Sequence, residues 1–104
     1  MKYMPFPKIY EKTLKKGKKN VTIRILNEVG KYKRNETYQA TNDKGNLIPF
    51  LIKIVKVVRL KFKDAKKYIP KVELNLKEFK NMKPSSNVDM IRFECVFLEN
   101  ILPH

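Results

Sequence analysis

Three side chains that could act on an anionic or acylated ligand lie close together in the sequence: Lys19, Thr22 and Arg24. They follow Gly17, at which a basic segment ends. Successive side chains of a strand point to opposite faces, so Thr22 and Arg24 share the polar face of a strand over this stretch. A lysine, an arginine and the backbone N–H groups of a glycine bend form a natural phosphate or carboxylate site. The residue types therefore favour a binding or catalytic site at Gly17, Lys19, Thr22 and Arg24, which we call the corner.

Thr22 can act in two ways at such a corner. Its hydroxyl can hydrogen-bond a base or a phosphate, or it can act as a nucleophile when a neighbouring base removes its proton. Lys19 is the candidate base, and the cations around it favour its neutral form. A carboxyl group must also protonate a leaving amine; Glu73 and Glu78 are the candidates, with Glu94 more distant. The alternative is a solvated basic turn beside a strand, which the spacing alone favours over catalysis.

Composition narrows the choice of partners. The chain has 104 residues, enough for one core, so we expect a single domain over residues 1–104. Its 24 Lys and Arg outnumber 10 Asp and Glu, for a formal charge of +14. Such an excess favours polyanion partners, which are nucleic acid, nucleotides or an anionic membrane surface. A general lysine bias, as in heat-adapted proteins, is the alternative explanation, although glutamate is not enriched to match.

Metal and membrane functions are not expected. The lone Cys95 sits in an apolar alternation and favours core packing, and the one histidine is His104, so zinc is improbable. We expect no cofactor. There is neither a secretory leader pattern nor an apolar run of about 20 residues, which favours a soluble, cytoplasmic chain without a membrane partner. The oligomeric state is not encoded in any pattern, and a monomer is favoured.

The rest of the chain must position the corner. Prolines and aromatics in 1–7 predict an extended lead-in, and Gly17 follows a helix predicted over Lys8–Lys16. Alternation predicts four strands, and Asn42–Asn46 predicts a hairpin turn. The doubled Val57-Val58 indicates a bulge or bend in the longest strand. The strands are predicted over Val21–Leu26, Glu36–Thr41, Leu47–Phe62 and Val88–Leu98, with a second helix over Leu76–Met82.

This order predicts a mainly β fold with short helices. Short antiparallel strands separated by turns, with a helix at one end, are typical of a small closed or half-closed β-barrel. We therefore expect a small barrel with one or two helices covering its cleft.

The segment Gly17–Arg24 resembles the signature of ASCH domains, which belong to the PUA-like superfamily. That signature is Gly-x-Lys, two further residues, Glu or Thr, one residue and Arg. The segment Gly30–Tyr38 resembles the next block of the family, with Asn35 in place of the usual glycine. Asparagine also enters the left-handed backbone region readily, so the turn is expected to survive. The likeness in element order covers most of the chain.

The resemblance implies a PUA-like β-barrel whose cleft faces the motif and binds RNA or modified nucleosides. The basic segment 31–34, with its tyrosine, and the charge of the whole chain favour the same partners. Phosphate contacts would give affinity, and stacking of Tyr32 and Tyr38 on unpaired bases would add to it. The expected binding residues are Gly17, Lys18, Arg24, Lys31, Tyr32, Lys33 and Arg34.

The motif is also similar to that of small bacterial amidohydrolases that remove the acetyl group from N(4)-acetylcytidine. In those enzymes a lysine accepts a proton, a threonine attacks and a glutamate donates a proton. The resemblance assigns these roles to Lys19, Thr22 and Glu73, although the alignment places the acid one position away, at Val72. Arg24 would orient the substrate or the carboxylate. We thus predict an RNA- or nucleoside-binding domain, with deacylation of a nucleoside as the alternative.

Overall fold

The computed structural model describes residues 2–7, 10–16 and 20–97, with only the backbone described for Lys15, Val72, Glu73 and Phe97. These residues form five strands, four short α-helices and two 3₁₀ turns, at Leu26–Glu28 after the second strand and at Lys66–Tyr68. The strands are β1 (Tyr3–Pro5), β2 (Val21–Arg24), β3 (Thr37–Thr41), β4 (Leu47–Lys61) and β5 (Asn87–Phe97). The helices are α1 (Glu11–Lys15), α2 (Phe62–Ala65), α3 (Lys71–Leu74) and α4 (Lys77–Lys80).

The strands form one mixed sheet in the order β1-β3-β4-β5-β2. β1 runs parallel to β3, and every other neighbouring pair is antiparallel. The predicted mainly β class with short helices is therefore confirmed. The predicted barrel is not closed, because β1 and β2 stand at opposite edges of the sheet in the described part of the chain. β2 is short and lies at an edge, and its Thr22 and Arg24 side chains border a cleft.

Both faces of the sheet are covered. On one face, α1 and the residue after β1, Phe6, pack over the middle strands to form the main core. This core centres on Met4, Phe6, Tyr32, Ile52 and Phe93. On the other face, the helical segment 62–80 covers one end of the sheet. It forms the second core from Ile23, Phe62, Ala65, Phe79 and Val88. β2 lies between the two, so its alternate side chains enter different cores.

A bulge in β4 lets one long strand serve both cores. The pairing with β5 shifts between Ile54 and Lys56, so the alternation of side chains reverses there. Before the shift Ile52 and Ile54 face the main core, and after it Leu60 faces the second core. The irregularity predicted from the doubled valines exists, but it lies just before them. Without this shift Leu60 would point toward the main core instead.

Turn residues behave as their chemistry predicts. In the hairpin between β3 and β4, the Asn42 side chain accepts the backbone N–H groups of Lys44 and Asn46, each at 2.9 Å. Asn35 adopts a φ of +69°, which confirms that asparagine supports the left-handed turn expected there. The Leu26 backbone is also left-handed, with φ +56°, and this ends β2 at Arg24 rather than at the predicted Leu26.

Candidate functional site

β2 lies next to β5 and directs its polar side chains into the main core. Thr22 stands opposite Ile91, and Arg24 stands opposite Asp89. Directly opposite residues of an antiparallel pair point to the same face, so all four side chains lie on the main-core side. Thr22 is 7% exposed and Arg24 is 6% exposed. The polar face predicted for this strand is thus buried, unlike the solvated turn that the spacing alone favoured.

The Arg24 guanidinium lies between two aromatic rings. Its Cζ atom is 4.8 Å from the centre of the Phe6 ring and 5.4 Å from the centre of the Tyr32 ring. A cation over an aromatic face is attracted by the negative face of the ring system. The nearest acid is Glu28, whose two carboxylate oxygens lie 3.4 Å from Nη1. These bonds are long, so Glu28 holds the guanidinium loosely.

Glu28 and Tyr32, which both contact Arg24, are joined to each other by a hydrogen bond. The Tyr32 hydroxyl donates to Glu28 Oε1 at 2.8 Å. Burial raises the pKa of Tyr32 above its ordinary value, and the hydrogen bond to Glu28 adds to that rise while Arg24 opposes it. Tyr32 therefore stays protonated and serves as a donor. Its ring meets Tyr38 edge-on, with 5.1 Å between the ring centres, which fixes the loop against the sheet.

A buried carboxylate anchors the loop that carries these residues. Asp89 is 1% exposed and accepts the Gly30 backbone N–H at 2.6 Å. It also accepts the Arg59 Nε–H at 3.0 Å. Gly30 has a φ of +80°, a conformation that few side chains tolerate. Asp89 thus ties the loop to β4 and β5 beside Arg24.

Arg24 retains donors that the described residues do not satisfy. Its Nε and Nη2 groups are buried and have no hydrogen-bond acceptor among the described residues. Buried donors without acceptors are rare in folded proteins because each one costs free energy. Such groups are a feature of sites at which a ligand provides the acceptor.

Arg24 and Thr22 form part of the wall of an open cleft of about 530 Å³. The N-terminal segment borders it on one side, and α4 and the residue before that helix border it on the other. Three carboxylates, from Glu28, Asp43 and Glu78, line it together with the guanidinium. The principal lining residues are Phe6, Thr22, Arg24, Leu26, Glu28 and Glu78. A cleft of this volume suits a small molecule or one nucleotide of a longer chain.

The structure brings together only part of the predicted site. Thr22, Arg24 and Glu78 line one cleft, although no hydrogen bond joins the side chains of Thr22 and Glu78 in the described residues. Glu94 is exposed on β5, opposite Lys53, and is not a lining residue of the cleft. The predicted residues Gly17, Lys18 and Lys19 lie outside the described residues, as does the side chain of Glu73.

The predicted basic segment divides into two parts. Lys31, Lys33 and Arg34 are exposed, and none of them lines the cleft described above. Tyr32 is buried, as is Tyr38, so neither ring is presented to solvent for stacking on a base. Tyr32 instead contacts Arg24 from the side of the core. The contribution of this segment to the cleft is thus structural support for the guanidinium.

The cleft residues that were not predicted from the sequence include Phe6, Leu26 and Glu28. Phe6 lies between Pro5 and Pro7 in the sequence. Because the two prolines restrict the backbone around this aromatic residue, the pattern could have indicated that Phe6 forms part of a cleft wall. Glu28 follows Arg24 by four positions, a spacing usually read as a helical ion pair. Here a 3₁₀ turn after β2 produces the contact. Leu26 carries no sequence signal, because its left-handed backbone is unusual for leucine.

The described residues contain no group of three or more His, Cys, Asp and Glu side chains that could hold a metal ion. The helices within the same residues lack the combination of length and apolar character that crossing a membrane requires.

The mixed sheet with its short helices is similar to the fold of ASCH domains. A solved structure of an ASCH domain from Lactobacillus crispatus JV V101 matches with a TM-score of 0.59 at 10% identity, over 92% of this chain and 80% of that one. The hypothetical protein PH0355 matches with a TM-score of 0.61 at 18% identity, over 92% of this chain and 100% of that one. A DUF984 protein from Enterococcus faecalis V583 matches with a TM-score of 0.56 at 14% identity, over 92% and 75%.

No protein-family model matches the chain, and no curated protein matches it. The three structural likenesses, all at low identity, establish the fold, which agrees with the ASCH resemblance of the β2 motif.

Proposed function

We propose that this chain is an RNA-binding domain whose cleft beside β2 holds one nucleotide, with Arg24 as the residue that anchors it. The observation that carries the proposal is that two buried Arg24 nitrogens, Nε and Nη2, have no acceptor among the described residues and belong to the wall of a cleft large enough for a nucleotide. Carbonyl oxygens and ring nitrogens of bases, and phosphate oxygens, are acceptors that a guanidinium binds in pairs. The formal charge of +14 supports a polyanionic partner. Such a partner is also consistent with the expected cytoplasmic location.

The test compares two arginines on neighbouring strands. Arg24→Met removes the buried guanidinium, and the matched control Arg92→Met removes an exposed one from β5. Binding of a short, fluorescently labelled single-stranded RNA is measured by anisotropy at fixed salt. We expect Arg24→Met to weaken binding by about tenfold or more, because hydrogen bonds to a charged group are lost. The control should weaken binding by no more than about threefold, the effect of one exposed charge.

Circular dichroism identifies any variant that has lost the fold. Arg24→Lys provides a second variant that keeps the charge but loses the planar pair of donors, and it should also bind weakly. The proposal is wrong if folded Arg24→Met binds RNA as tightly as the unsubstituted protein.

A second candidate function is deacylation of N(4)-acetylcytidine or a related nucleoside. The observation that favours it is the position of the Thr22 hydroxyl in the wall of the same cleft as the Glu78 carboxylate. In this hypothesis Lys19 accepts the Thr22 proton as the Thr22 oxygen attacks the acyl carbon, and Glu73 or Glu78 protonates the amine nitrogen as its bond to that carbon breaks. A water molecule then hydrolyses the acyl ester on Thr22, which releases the carboxylic acid and restores the hydroxyl. Glu78 is the acid for which the cleft gives direct support.

The hydrolase hypothesis is tested by incubating the protein with N(4)-acetylcytidine and separating cytidine by chromatography. Thr22→Val keeps the shape of the side chain and should abolish turnover. Its matched control is Thr41→Val, which changes another buried threonine at the end of β3 and should retain turnover. Lys19→Ala should also abolish turnover with the fold intact. Retained turnover in Lys19→Ala or Thr22→Val would exclude this mechanism.

A further inference from the structure

A second cleft, of about 500 Å³, adjoins the first. The two clefts share Leu26 and Glu78 in their walls, so a ligand that extends beyond one reaches the other. The remaining walls of the second cleft come from α4 and the loop that follows it. Its lining residues other than the shared pair are Lys77, Asn81, Met82, Lys83 and Ser86.

The charge of the second cleft differs from that of the first. Lys77 and Lys83 stand in its wall, and no acidic side chain of the described residues forms an ion pair with either of them. Asn81 and Ser86 add neutral polar groups. Glu78 is the one carboxylate in the wall, on the boundary shared with the first cleft. An anionic group is therefore favoured at the lysines and disfavoured at the boundary.

Backbone hydrogen bonds fix the turn after α4 that carries Lys83. The Ser86 N–H donates to the Lys83 carbonyl at 3.0 Å, closing the turn after α4. The Phe62 N–H donates to the Ser86 carbonyl at 2.8 Å, which ties this turn to the start of α2. Phe62 itself is buried in the second core. The Cα of Lys83 thus stands at a defined place beside α4, which carries Lys77.

Leu26 presents an apolar surface at the junction of the two clefts. Its side chain is 66% exposed, and its backbone has the left-handed φ of +56°. A left-handed leucine is uncommon, and backbone outliers of this kind cluster at functional sites. An exposed leucine gains little from its own fold, whereas an apolar side chain can pack against the face of a base.

We propose that the second cleft holds the nucleotide next to the one in the first, with its phosphate between Lys77 and Lys83 and its base against Leu26. This inference rests on the proposed RNA-binding function and makes it more specific. The partner is then a single-stranded RNA of at least two nucleotides rather than a free nucleoside. The Glu78 carboxylate at the boundary keeps the phosphate on the lysine side, so the strand crosses the two clefts in a defined path.

The experiment measures binding of a short single-stranded RNA by anisotropy over a series of KCl concentrations. The double variant Lys77→Ala/Lys83→Ala is compared with Lys53→Ala/Lys56→Ala, which removes the same charge from exposed positions of β4 outside both clefts. We expect the first double variant to bind about tenfold more weakly. We also expect its salt slope to be smaller by about 0.7, because the contact with one phosphate of a single strand is lost. The control should change both quantities much less.

A matched leucine pair tests the apolar contact. Leu26 and Leu47 are each 66% exposed, but only Leu26 lines the two clefts. Leu26→Ala should weaken RNA binding by about threefold or more, because part of the apolar contact with one base is lost. Leu47→Ala should leave binding unchanged.

The outcomes separate this inference from the function on which it rests. If Arg24→Met loses RNA binding but the two lysine pairs behave alike, the second cleft is not a nucleotide site and the first proposal stands. If folded Arg24→Met binds normally, the proposed function itself fails. Equal effects of Leu26→Ala and Leu47→Ala would contradict the base contact.

Discussion

At the scale of single residues, Arg24 combines burial with incomplete pairing. Its guanidinium contacts Phe6 and Tyr32 and lies 3.4 Å from Glu28, but two of its donor groups lack acceptors in the described residues. Each unsatisfied buried donor costs about 1–3 kcal/mol, whereas each cation–π contact contributes about 0.5–2 kcal/mol. These contributions nearly cancel. Arg24 is therefore a residue that the fold does not need for stability.

This balance predicts the stability of Arg24→Met. We expect the free energy of unfolding to stay within about 1 kcal/mol of the unsubstituted value or to rise, because methionine fills the space without donors. Urea denaturation followed by circular dichroism measures this quantity. Typical large-to-small substitutions in a core cost about 2–5 kcal/mol, so Ile52→Ala in the main core is the comparison. A loss above about 2 kcal/mol in Arg24→Met would contradict the prediction.

Cys95 gives a second prediction at this scale. The free thiol is half-buried against the main core, and burial raises its pKa from 9.0 to about 11. The thiolate is the reactive form, so its fraction near neutral pH is about a hundredfold lower than for an ordinary thiol. We expect iodoacetamide to react slowly with the folded protein at about pH 8 and to react faster as the pH rises. The same protein in urea should react at the ordinary rate, and equal rates in both states would contradict the assignment.

At the scale of elements, the loop between β2 and β3 depends on one buried carboxylate. Asp89 on β5 accepts the Gly30 N–H and the Arg59 Nε–H. Asp89→Asn removes the charge from both bonds and places an amide donor where only acceptors fit. We expect a loss of about 1–3 kcal/mol in the free energy of unfolding, together with faster hydrogen exchange at the Gly30 amide. Asp43→Asn in the exposed hairpin turn is the control and should change neither quantity.

The outer positions of β4 and β5 provide a matched electrostatic pair. Lys56 lies opposite Arg92, which places like charges together, whereas Lys53 lies opposite Glu94. Lys56→Glu should therefore stabilise the fold by about 0.2–1 kcal/mol, and Lys53→Glu should destabilise it by a similar amount. Both substitutions change the net charge equally, so a general charge effect would move both in the same direction. Thermal denaturation distinguishes the two outcomes.

The elements also show what could be predicted from the sequence. The alternation of apolar and polar residues predicted the positions of β2, β3, β4 and β5 to within a few residues. This works because successive residues of a strand point to opposite faces, so a buried face and an exposed face produce an alternating sequence. The segment 62–74 was harder, since α2 and α3 are each one turn long and give no full helical period. α4 was predicted within Leu76–Met82, although the observed helix is shorter.

The candidate site was predictable in its residue types but not in its environment. The β2 motif identified Thr22 and Arg24, both of which line the cleft. Arg24 is buried against Phe6 and Tyr32, which lie outside the motif in the sequence. Contacts between residues that are far apart in the sequence cannot be predicted from a local sequence pattern. The role of Leu26 likewise depends on a backbone conformation that its residue type disfavours.

At the scale of the whole molecule, charge acts on folding and on binding in opposite directions. The formal charge of +14 is carried by a molecule that measures about 49 × 25 × 22 Å. At about 10 mM salt the Debye length is about 30 Å, so charges across the short dimensions repel one another. At about 100 mM salt it falls to about 10 Å, and most of that repulsion is screened. The same screening weakens attraction to RNA phosphates.

We therefore predict that KCl stabilises the free protein while it weakens the RNA complex. Between about 10 and 100 mM KCl the Tm should rise by a few degrees, corresponding to roughly 1 kcal/mol of relieved repulsion. Over the same range RNA affinity should fall steeply, since each phosphate contact on a single strand adds about 0.7 to the salt slope. Glycine at equal concentration is the control, because a zwitterion leaves the Debye length unchanged and should shift neither quantity. A Tm that falls with KCl would show that attractive ion pairs outweigh the repulsion, and an RNA affinity that does not change with KCl would exclude phosphate contacts as the source of binding.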